Sequence, residues 1–572
     1  MTTKRLLSIC VLCIMALAAC STPSAQPSTA QAPVSGNAPA QPAARKQIVV
    51  AIAGEPSTLS ATINQAGSGG VAGVSETELL IGSGMVDRSG ADGTLYPVLG
   101  EAVPTIENGQ WKVLADGRME TTHTIKANAA WHDGVPLTTD DLVFSVQVGM
   151  DQEVGLLNNP GFRSLESIKA QDARTVVVTW KQPFIQADTL FSNRFAFPLP
   201  KHILGPIYDQ DKAALVRATY WTQDYVGTGP FKLREFISGA HMTLLANEAY
   251  VLGRPKIDQL ELRFIQDANA QIASLLSGEV QMTMGRRLSI EQGQQAAAQW
   301  TDGRMLVSTQ NWIALFPQFL NPQPPVVGQL PFRRALQYAT DRQQMSDALS
   351  GGLSPVADSP VAPGQPEAQF VQNSIVHYAY DPRQAAQLIE GLGYTKGADG
   401  HYVDGSGKLL SIELRTTAGD DFRQKMITTI ADNWQRAGIT VEQNFIPRQR
   451  ADDQQYRAER PAFELVRQPN DLNRLYSREV PTDATGYRGN NRTRLASPEL
   501  DAIIDRYYTT IPMQQRMDAL SDFVHFTTDQ LIVMGELYNA EPLLVSNRIK
   551  NVAVAKADGS QDSWNSRDWE LD

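Results

Sequence analysis

An α/β fold spread over more than one domain is the architecture this sequence predicts, and three observations carry that prediction. The chain has 572 residues, whereas single hydrophobic cores stop growing at about 250–300 residues. Its apolar share is 42%, ordinary for a large globular body. Helix-like periodicity and β-branched runs also alternate, as in residues 429–445, where a helical pattern, Gly438 and a strand pattern follow one another. Such alternation is what layered α/β domains produce. A formal charge of −11 argues against a nucleic-acid partner, which needs a basic stripe. It says little about a small-molecule ligand.

The first element is an export signal over residues 1–19. "MTTKRLLSICVLCIMALAAC" has Lys4 and Arg5, an apolar run from Leu6 to Leu17 and small residues before Cys20. The run is about half of the ~20 residues that cross a bilayer. "LAAC" resembles the lipobox of bacterial lipoproteins. That resemblance implies cleavage before Cys20 and a lipid on its thiol. Cys10 and Cys13 leave with the signal, so Cys20 stands alone in the mature chain and no internal disulfide is expected. Loss of Lys4 and Arg5 takes the formal charge from −11 to −13. Residues 20–45 then read as the anchored cysteine and a flexible Ser/Pro/Ala/Gln linker.

The body begins with "KQIVVAIAG", Lys46 to Gly54, a β-branched run closed by glycine and read as a buried strand. In "WHDGVPLTTDDLVFS", Asp133-Gly134 marks a turn. Thr138 and Asp141 stand at capping-box spacing, and Asp140 and Asp141 sit in a first helical turn. His132 has no second histidine at ligand spacing, so the stretch is read as a turn and a helix start. In "LPFRRALQYATDRQQM", Phe332, Ala335, Leu336 and Ala339 share a helical face. In "YDPRQAAQLIEGLGY", Asp381 caps, Pro382 takes the first turn and Gly393 ends the helix. Two Asp-Gly pairs around "HYV", followed by "KLLSIELRTT", predict a hairpin leading into a core strand.

Several segments together resemble the family 5 extracellular solute-binding proteins, the peptide-, nickel- and oligosaccharide-binding components of bacterial ABC importers. They are "WHDGVPLTTDDLVFS", "LPKHIL" (a "P-K-H" strand end), the "GTGPF" hairpin with "NEAYVLGRP", "SGEVQMT", "FRRALQYATDRQQM", "YDPRQAAQLIEGLGY" and "ASPELDAIID". They run in the family's order from Trp131 to Asp505, with Thr139 and Gln281 departing from the usual alanine and acid. The resemblance implies an α/β two-lobed periplasmic-binding-protein clamshell (type II, cluster C-like) with an extra inserted domain. Lobe I is expected from 46–83, 222–308 and 530–572, the inserted domain from 84–221, and lobe II from 309–529. Hinge crossings are expected near 305–312 and 525–535.

The implied function is capture of a peptide or similar small solute between the lobes and delivery to the transmembrane subunits of an ABC permease. The protein is expected to act as an extracytoplasmic, membrane-anchored monomer without cofactor or metal. Loops facing the hinge supply the candidate ligand contacts: Glu55, Ser57 and Thr58; Asn311 and Trp312; Arg415, Thr416 and Thr417; Arg467, Asn470 and Asp471; Tyr487 and Arg488. Peptide-binding relatives commonly carry an acidic run in lobe II whose aspartate meets the peptide amino terminus. Here residues 465–494 keep Asp471 but are rich in arginine. An anionic ligand or an oligosaccharide is therefore as plausible as a dipeptide.

Two rival readings remain: an exported clamshell sensor feeding a signalling receptor, and an exported hydrolase. For the latter the sequence offers no Gly-x-Ser-x-Gly elbow, His-Glu-x-x-His or phosphate loop, and its seven histidines are scattered. Adjacent acids such as Asp420-Asp421 do not readily flank a glycosidic bond. Replacing Cys20 with alanine is expected to leave ligand affinity intact and to move the protein out of the membrane fraction; retention in that fraction would overturn the lipid tether.

Overall fold

The β-branched run at 46–54 forms a buried strand, Gln47–Ile52, which organises a first sheet. The structure is a computed structural model describing residues 45–60, 73–151, 153–154, 161–285, 288–309, 311–451, 453–468, 471–557 and 561–572. The expected signal, Cys20, most of the linker and Asn470 lie outside these residues. Gln47–Ile52 pairs in parallel with Gln259–Phe264 and Met282–Met284. The hairpin Phe231–Ile237 and His241–Ala246 extends one edge. Glu541–Ser546 and Gly303–Ser308 extend the other, giving seven strands. Ile48, Val50 and Ile52 pack on one face and Val49 and Ala51 on the other. Burial on both faces explains why the segment reads as an unbroken apolar run.

A four-stranded antiparallel sheet lies within the expected inserted region, in the order Trp111–Val113, Met119–Thr124, Thr175–Trp180, Leu165–Ala170. Trp111, Met119, Val178 and Trp180 belong to the same apolar cluster as Ile48 and Val50, so this region shares a core with the first sheet. The stretch Trp131–Ser145 is a turn and a helix start, and the helix runs Thr139–Met150. The Asp141 carboxylate accepts from the Thr138 N–H at 2.9 Å and from the Lys201 N–H at 2.9 Å. The second bond meets an orphan donor at the start of the helix Lys201–Gln210. Lys201 and His202 therefore open a helix, where the resemblance implied a strand end. His132 Nδ1 accepts from the Gly227 N–H at 3.2 Å, and its Nε2 lies 3.1 Å from the Gly229 carbonyl. Nε2 thus carries the proton, and burial lowers the imidazole pKa to about 4. The ring is a neutral cross-link.

The second sheet runs Thr440–Ile446, Ser411–Thr417, Phe463–Gln468, Trp312–Pro317, Met534–Tyr538. On one face Ile313, Leu315, Leu414 and Leu465 pack with Phe332, Leu336, Ile389, Ile427 and Trp434 from the helices Leu330–Ala339, Pro382–Gly391 and Asp421–Ala437. Asp381 accepts from the N–H groups of Arg383 and Gln384, as its cap position requires. Gly438, at φ 104°, turns the chain out of the longest of these helices, a conformation that costs glycine least. On the opposite face Trp312, Ala314, Phe316 and Val466 pack with Ala357 and Val533.

The chain passes between the two sheets from Ser308 to Trp312 and again from Tyr538 to Glu541. The second passage lies later than the expected 525–535, because Met534–Tyr538 still pairs with Trp312–Pro317. Met534–Tyr538, which the expectation placed in lobe I, is thus a strand of the second sheet. Among the described residues no helix is long and apolar enough to cross a membrane.

Gly535 holds the inner edge of this sheet. A Cβ there would stand 2.0 Å from the Ala357 carbonyl oxygen and 2.9 Å from the Trp312 ring. Gly535→Ala is expected to cost about 1–3 kcal/mol, the range for overpacking, read from urea denaturation. An unchanged midpoint would refute the close packing.

Candidate functional site

The two passages run side by side. The Asn539 N–H donates to the Asn311 carbonyl at 2.7 Å. Glu541 gathers the Asn539 amide at 2.7 Å and the Arg467 guanidinium at 3.2 Å on one carboxylate oxygen. Asn311 and Arg467 thus stand at the joint itself. Away from it, polar contacts span the seam between the halves. The Ile185 N–H donates to the Tyr508 carbonyl at 3.3 Å, and Gln294 Nε2 donates to the Ser350 carbonyl at 3.3 Å. Lys425 pairs with Glu291, and Arg88 lies 3.9 Å from Glu367.

The seam is basic. Asp188 is half-buried on the first-sheet side. Burial pushes its pKa up to about 7, against the pull of Arg516 from the other half and of Arg194 and Arg88 from its own. Arg88 and Arg194 also line a cavity with Asp87, Tyr96, Trp564 and Arg567. Burial likewise raises Asp87 to about 7, offset by a bond from the Gly84 N–H and by Arg567. Guanidinium groups in such surroundings suit planar carboxylates.

A second cavity, partly open to solvent, lies beside the joint in the second-sheet half. Trp312 and Gln468 stand directly opposite each other in the antiparallel ladder, so their side chains share a face and both line it. Asp471 lines it too; its carboxylate accepts from the Asn473 N–H at 3.1 Å and from the Tyr508 hydroxyl at 3.2 Å. Asn311, Trp312, Arg467 and Asp471 are therefore brought together around the joint. Asn470 falls outside the described residues.

The other expected contacts are placed elsewhere. Glu55 is committed to its own half, accepting from the Ser238 hydroxyl and the Gly239 N–H, both at 2.7 Å. Ser57 is exposed beside it, and Thr58 donates to the Ser60 carbonyl. Thr416 is buried and donates to the Leu465 carbonyl, while Thr417 ends the strand half-buried. Tyr487 donates to Glu459 at 2.6 Å, and exposed Arg488 reaches the Thr485 carbonyl.

Arg415 departs most from expectation. Its side chain is 1% exposed and donates to the carbonyls of Tyr456 and Arg457. It lies 3.8 Å from Glu464, which also meets Arg457 and, at 3.7 Å, Arg492. Burial alone would raise the Glu464 pKa; Arg457, Arg492, Arg415 and Arg460 overcome it and hold the carboxyl at about 2. Arg460 in turn donates to the carbonyls of Phe316, Pro317 and Arg492. Much of the arginine richness read from the sequence therefore builds the interior of this half. Arg88, Asp188, Arg194, Tyr508 and Arg516, which do face the seam, were not singled out in the sequence. They come from separate segments, and no spacing links them.

Removing the Glu464 charge leaves several buried guanidinium groups without their counter-ion. Glu464→Gln is expected to destabilise by about 3–5 kcal/mol at pH 7. A carboxyl with a depressed folded pKa contributes above its unfolded value and loses that contribution as pH falls through the folded one. The difference between wild type and variant should therefore shrink from about pH 4.5 towards pH 2. Denaturation curves across that range test it, and a difference independent of pH would refute the assignment.

The family model for bacterial extracellular solute-binding proteins, family 5, matches residues 101–470. A Brucella ovis protein named for ABC-transporter peptide binding is 29% identical over 279 residues, covering 48% of this chain and 50% of that protein. The chain thus spans about half the length of the first curated relatives it matches. Among solved structures, the oligopeptide-binding protein AppA of Bacillus subtilis in complex with a nonapeptide aligns with a TM-score of 0.70 at 19% identity, over 92% of this chain and 99% of that one. NikZ of Campylobacter jejuni in complex with Ni(L-His) aligns with a TM-score of 0.73 at 19% identity, over 92% and 100%. These likenesses establish a two-lobed α/β fold.

Proposed function

The chain belongs to family 5 of the bacterial extracellular solute-binding proteins, and on that premise we propose that it captures a small solute between two lobes and passes it, chemically unchanged, to an ABC permease. The observation that carries this reading is the pair of adjacent passages, from Ser308 to Trp312 and from Tyr538 to Glu541, by which the chain moves between its two sheets. One lobe comprises 46–83, 222–308 and 541–572, extended by 84–221, and the other comprises 312–538. A joint of two short segments can rock through changes in a few φ and ψ angles. Solute contacts made to both lobes at once favour the closed form, because they exist only there.

A peptide is the solute that the relatives' names favour. Arg88, Arg194 and Arg516 at the seam favour one that presents a carboxylate. A lipid on Cys20 and the linker to residue 45 would hold a single copy near the permease on the outer side of the membrane.

A thermal-unfolding screen over peptides, nickel–histidine, oligosaccharides and organic acids tests the reading. One class should raise the melting temperature; stabilisation reaches about 2.7 kcal/mol at a hundredfold excess over Kd. The same solute should reduce the radius of gyration in X-ray scattering and be recovered intact by mass spectrometry. A solute consumed by the purified protein, or a full screen without any shift, would sink the proposal.

A further inference from the structure

The cavity of the first half carries both signs of charge. Arg88, Arg194 and Arg567 line it, and among the described residues Asp87 is the one acid that does. Asp87 stands opposite Tyr96 in the antiparallel ladder of Val86–Arg88 with Leu95–Pro97, so the two side chains share a face. Arg88, the next residue, leaves the strand in the other direction. One Asp87 oxygen accepts from the Gly84 N–H at 3.2 Å. Among the described residues no ion pair and no second hydrogen bond reaches this carboxylate, and its other oxygen keeps accessible surface. The guanidinium groups have acids of their own. Arg567 lies 3.5 Å from Asp568, and Arg88 lies 3.9 Å from Glu367 of the other half. Arg88 and Arg194 both act on Asp188, whereas Arg567 is the cation that acts on Asp87. The half-buried Asp87 carboxylate is thus left without a counter-ion in contact, apart from the two arginines nearer the seam.

We infer that the solute is a zwitterion and that Asp87 receives its ammonium group, with its carboxylate on the side of Arg88 and Arg194. The inference rests on the solute-capture reading and adds the second charge of the solute and the residue that meets it. A solute with a carboxylate alone leaves Asp87 unpaired inside the closed protein, where an unpaired charge is costly. A solute with an ammonium alone gains Asp87 but faces three guanidinium groups. A solute with both charges answers both parts of the lining. Tyr96 and Asn193 add neutral acceptors to the same wall. The Tyr96 hydroxyl stays neutral, because burial and the Asp87 charge raise its pKa. A divalent metal is a poorer occupant: no three His, Cys, Asp or Glu residues cluster among the described residues. Asp471, in the second half, is a poorer counter-ion. One of its oxygens already accepts from the Asn473 N–H and the Tyr508 hydroxyl, and the other lies 3.9 Å from Arg474.

Calorimetric titration of the full chain tests the assignment at about pH 7.5, where alkyl ammonium groups are charged. The probes are 3-aminopropanoate, 4-aminobutyrate and 6-aminohexanoate, which set the two charges at increasing separations, each also as its N-acetyl derivative and its carboxamide. At least one amino acid should bind wild type about tenfold or more tighter than both of its derivatives, as a charge-assisted hydrogen bond at each end provides. Asp87→Asn should bring that amino acid level with its N-acetyl derivative, whose own affinity holds or improves. Circular dichroism and melting curves establish that each variant is folded. Equal binding of the amino acid and its N-acetyl derivative, a preference that survives Asp87→Asn, a preference lost in Asp471→Asn instead, or no probe binding to folded wild type would each overturn the assignment. None of these outcomes touches solute capture, which the unfolding screen tests independently. A screen in which uncharged oligosaccharides alone stabilise the protein would leave capture standing and sink the zwitterion.

Discussion

The molecule depends on a narrow joint. Two short segments carry the chain between two sheets, and a 2.7 Å hydrogen bond from Asn539 to Asn311 holds them side by side. Each sheet has its own buried core, built around Ile48, Val50 and Leu262 in one half and around Ile313, Leu414 and Leu465 in the other. The two cores are separate clusters, with Ile511 of the second half packed against the first. The halves are therefore internally stiff, close-packed bodies, whose mutual orientation is set by a few backbone dihedrals and by what lies between them. Glu541 tightens the joint by holding Asn539 and Arg467 on one carboxylate oxygen.

Charge is used in two ways in this chain. Inside the second half, Glu464 meets several guanidinium groups, and most of their remaining donors go to backbone carbonyls. Such a buried network is costly to break and fixes one arrangement of the loops around residues 451–494. At the seam, Arg88, Arg194 and Arg516 from the two halves share the carboxylates of Asp188 and Glu367. The seam group joins the two halves, whereas the interior group lies wholly within one. An arginine in the sequence looks the same in both settings. This is why Arg415 reads as a groove residue and is in fact a core one, while Arg88 and Arg516 pass unnoticed.

The same logic separates two tryptophans of the second half, Trp434 and Trp312. Trp434 is enclosed by helices, and its indole N–H is met by Thr340 at 2.9 Å, so it is committed to packing. Trp312 has Gly535 against one side of its ring and a cavity on another. The glycine lets the strand carry a large ring without splitting the sheet, and the cavity leaves part of that ring for something else. Asp471 is tied to Tyr508, and Tyr508 to the opposite half, so the rim of the cavity moves with the seam.

The sequence by itself determined whatever depends on neighbours a few residues apart. Asp381-Pro382 starts a helix because a carboxylate two or three residues ahead reaches free N–H groups. Thr138 and Asp141 start another, and Phe332, Ala335, Leu336 and Ala339 bury a face because the helical repeat aligns them. The ordered motifs from Trp131 to Asp505 were likewise legible, and with them the family and its two-lobed fold. What only the tertiary structure decided is which distant segments meet. The expected lobe I took in residues 530–538, and only the pairing of Met534–Tyr538 with Trp312–Pro317 assigns that strand to the second sheet. The seam arginines and the enclosure of Arg415 are products of contacts between residues tens to hundreds of positions apart. Burial and pairing set their chemistry, and neither is a property of the local sequence.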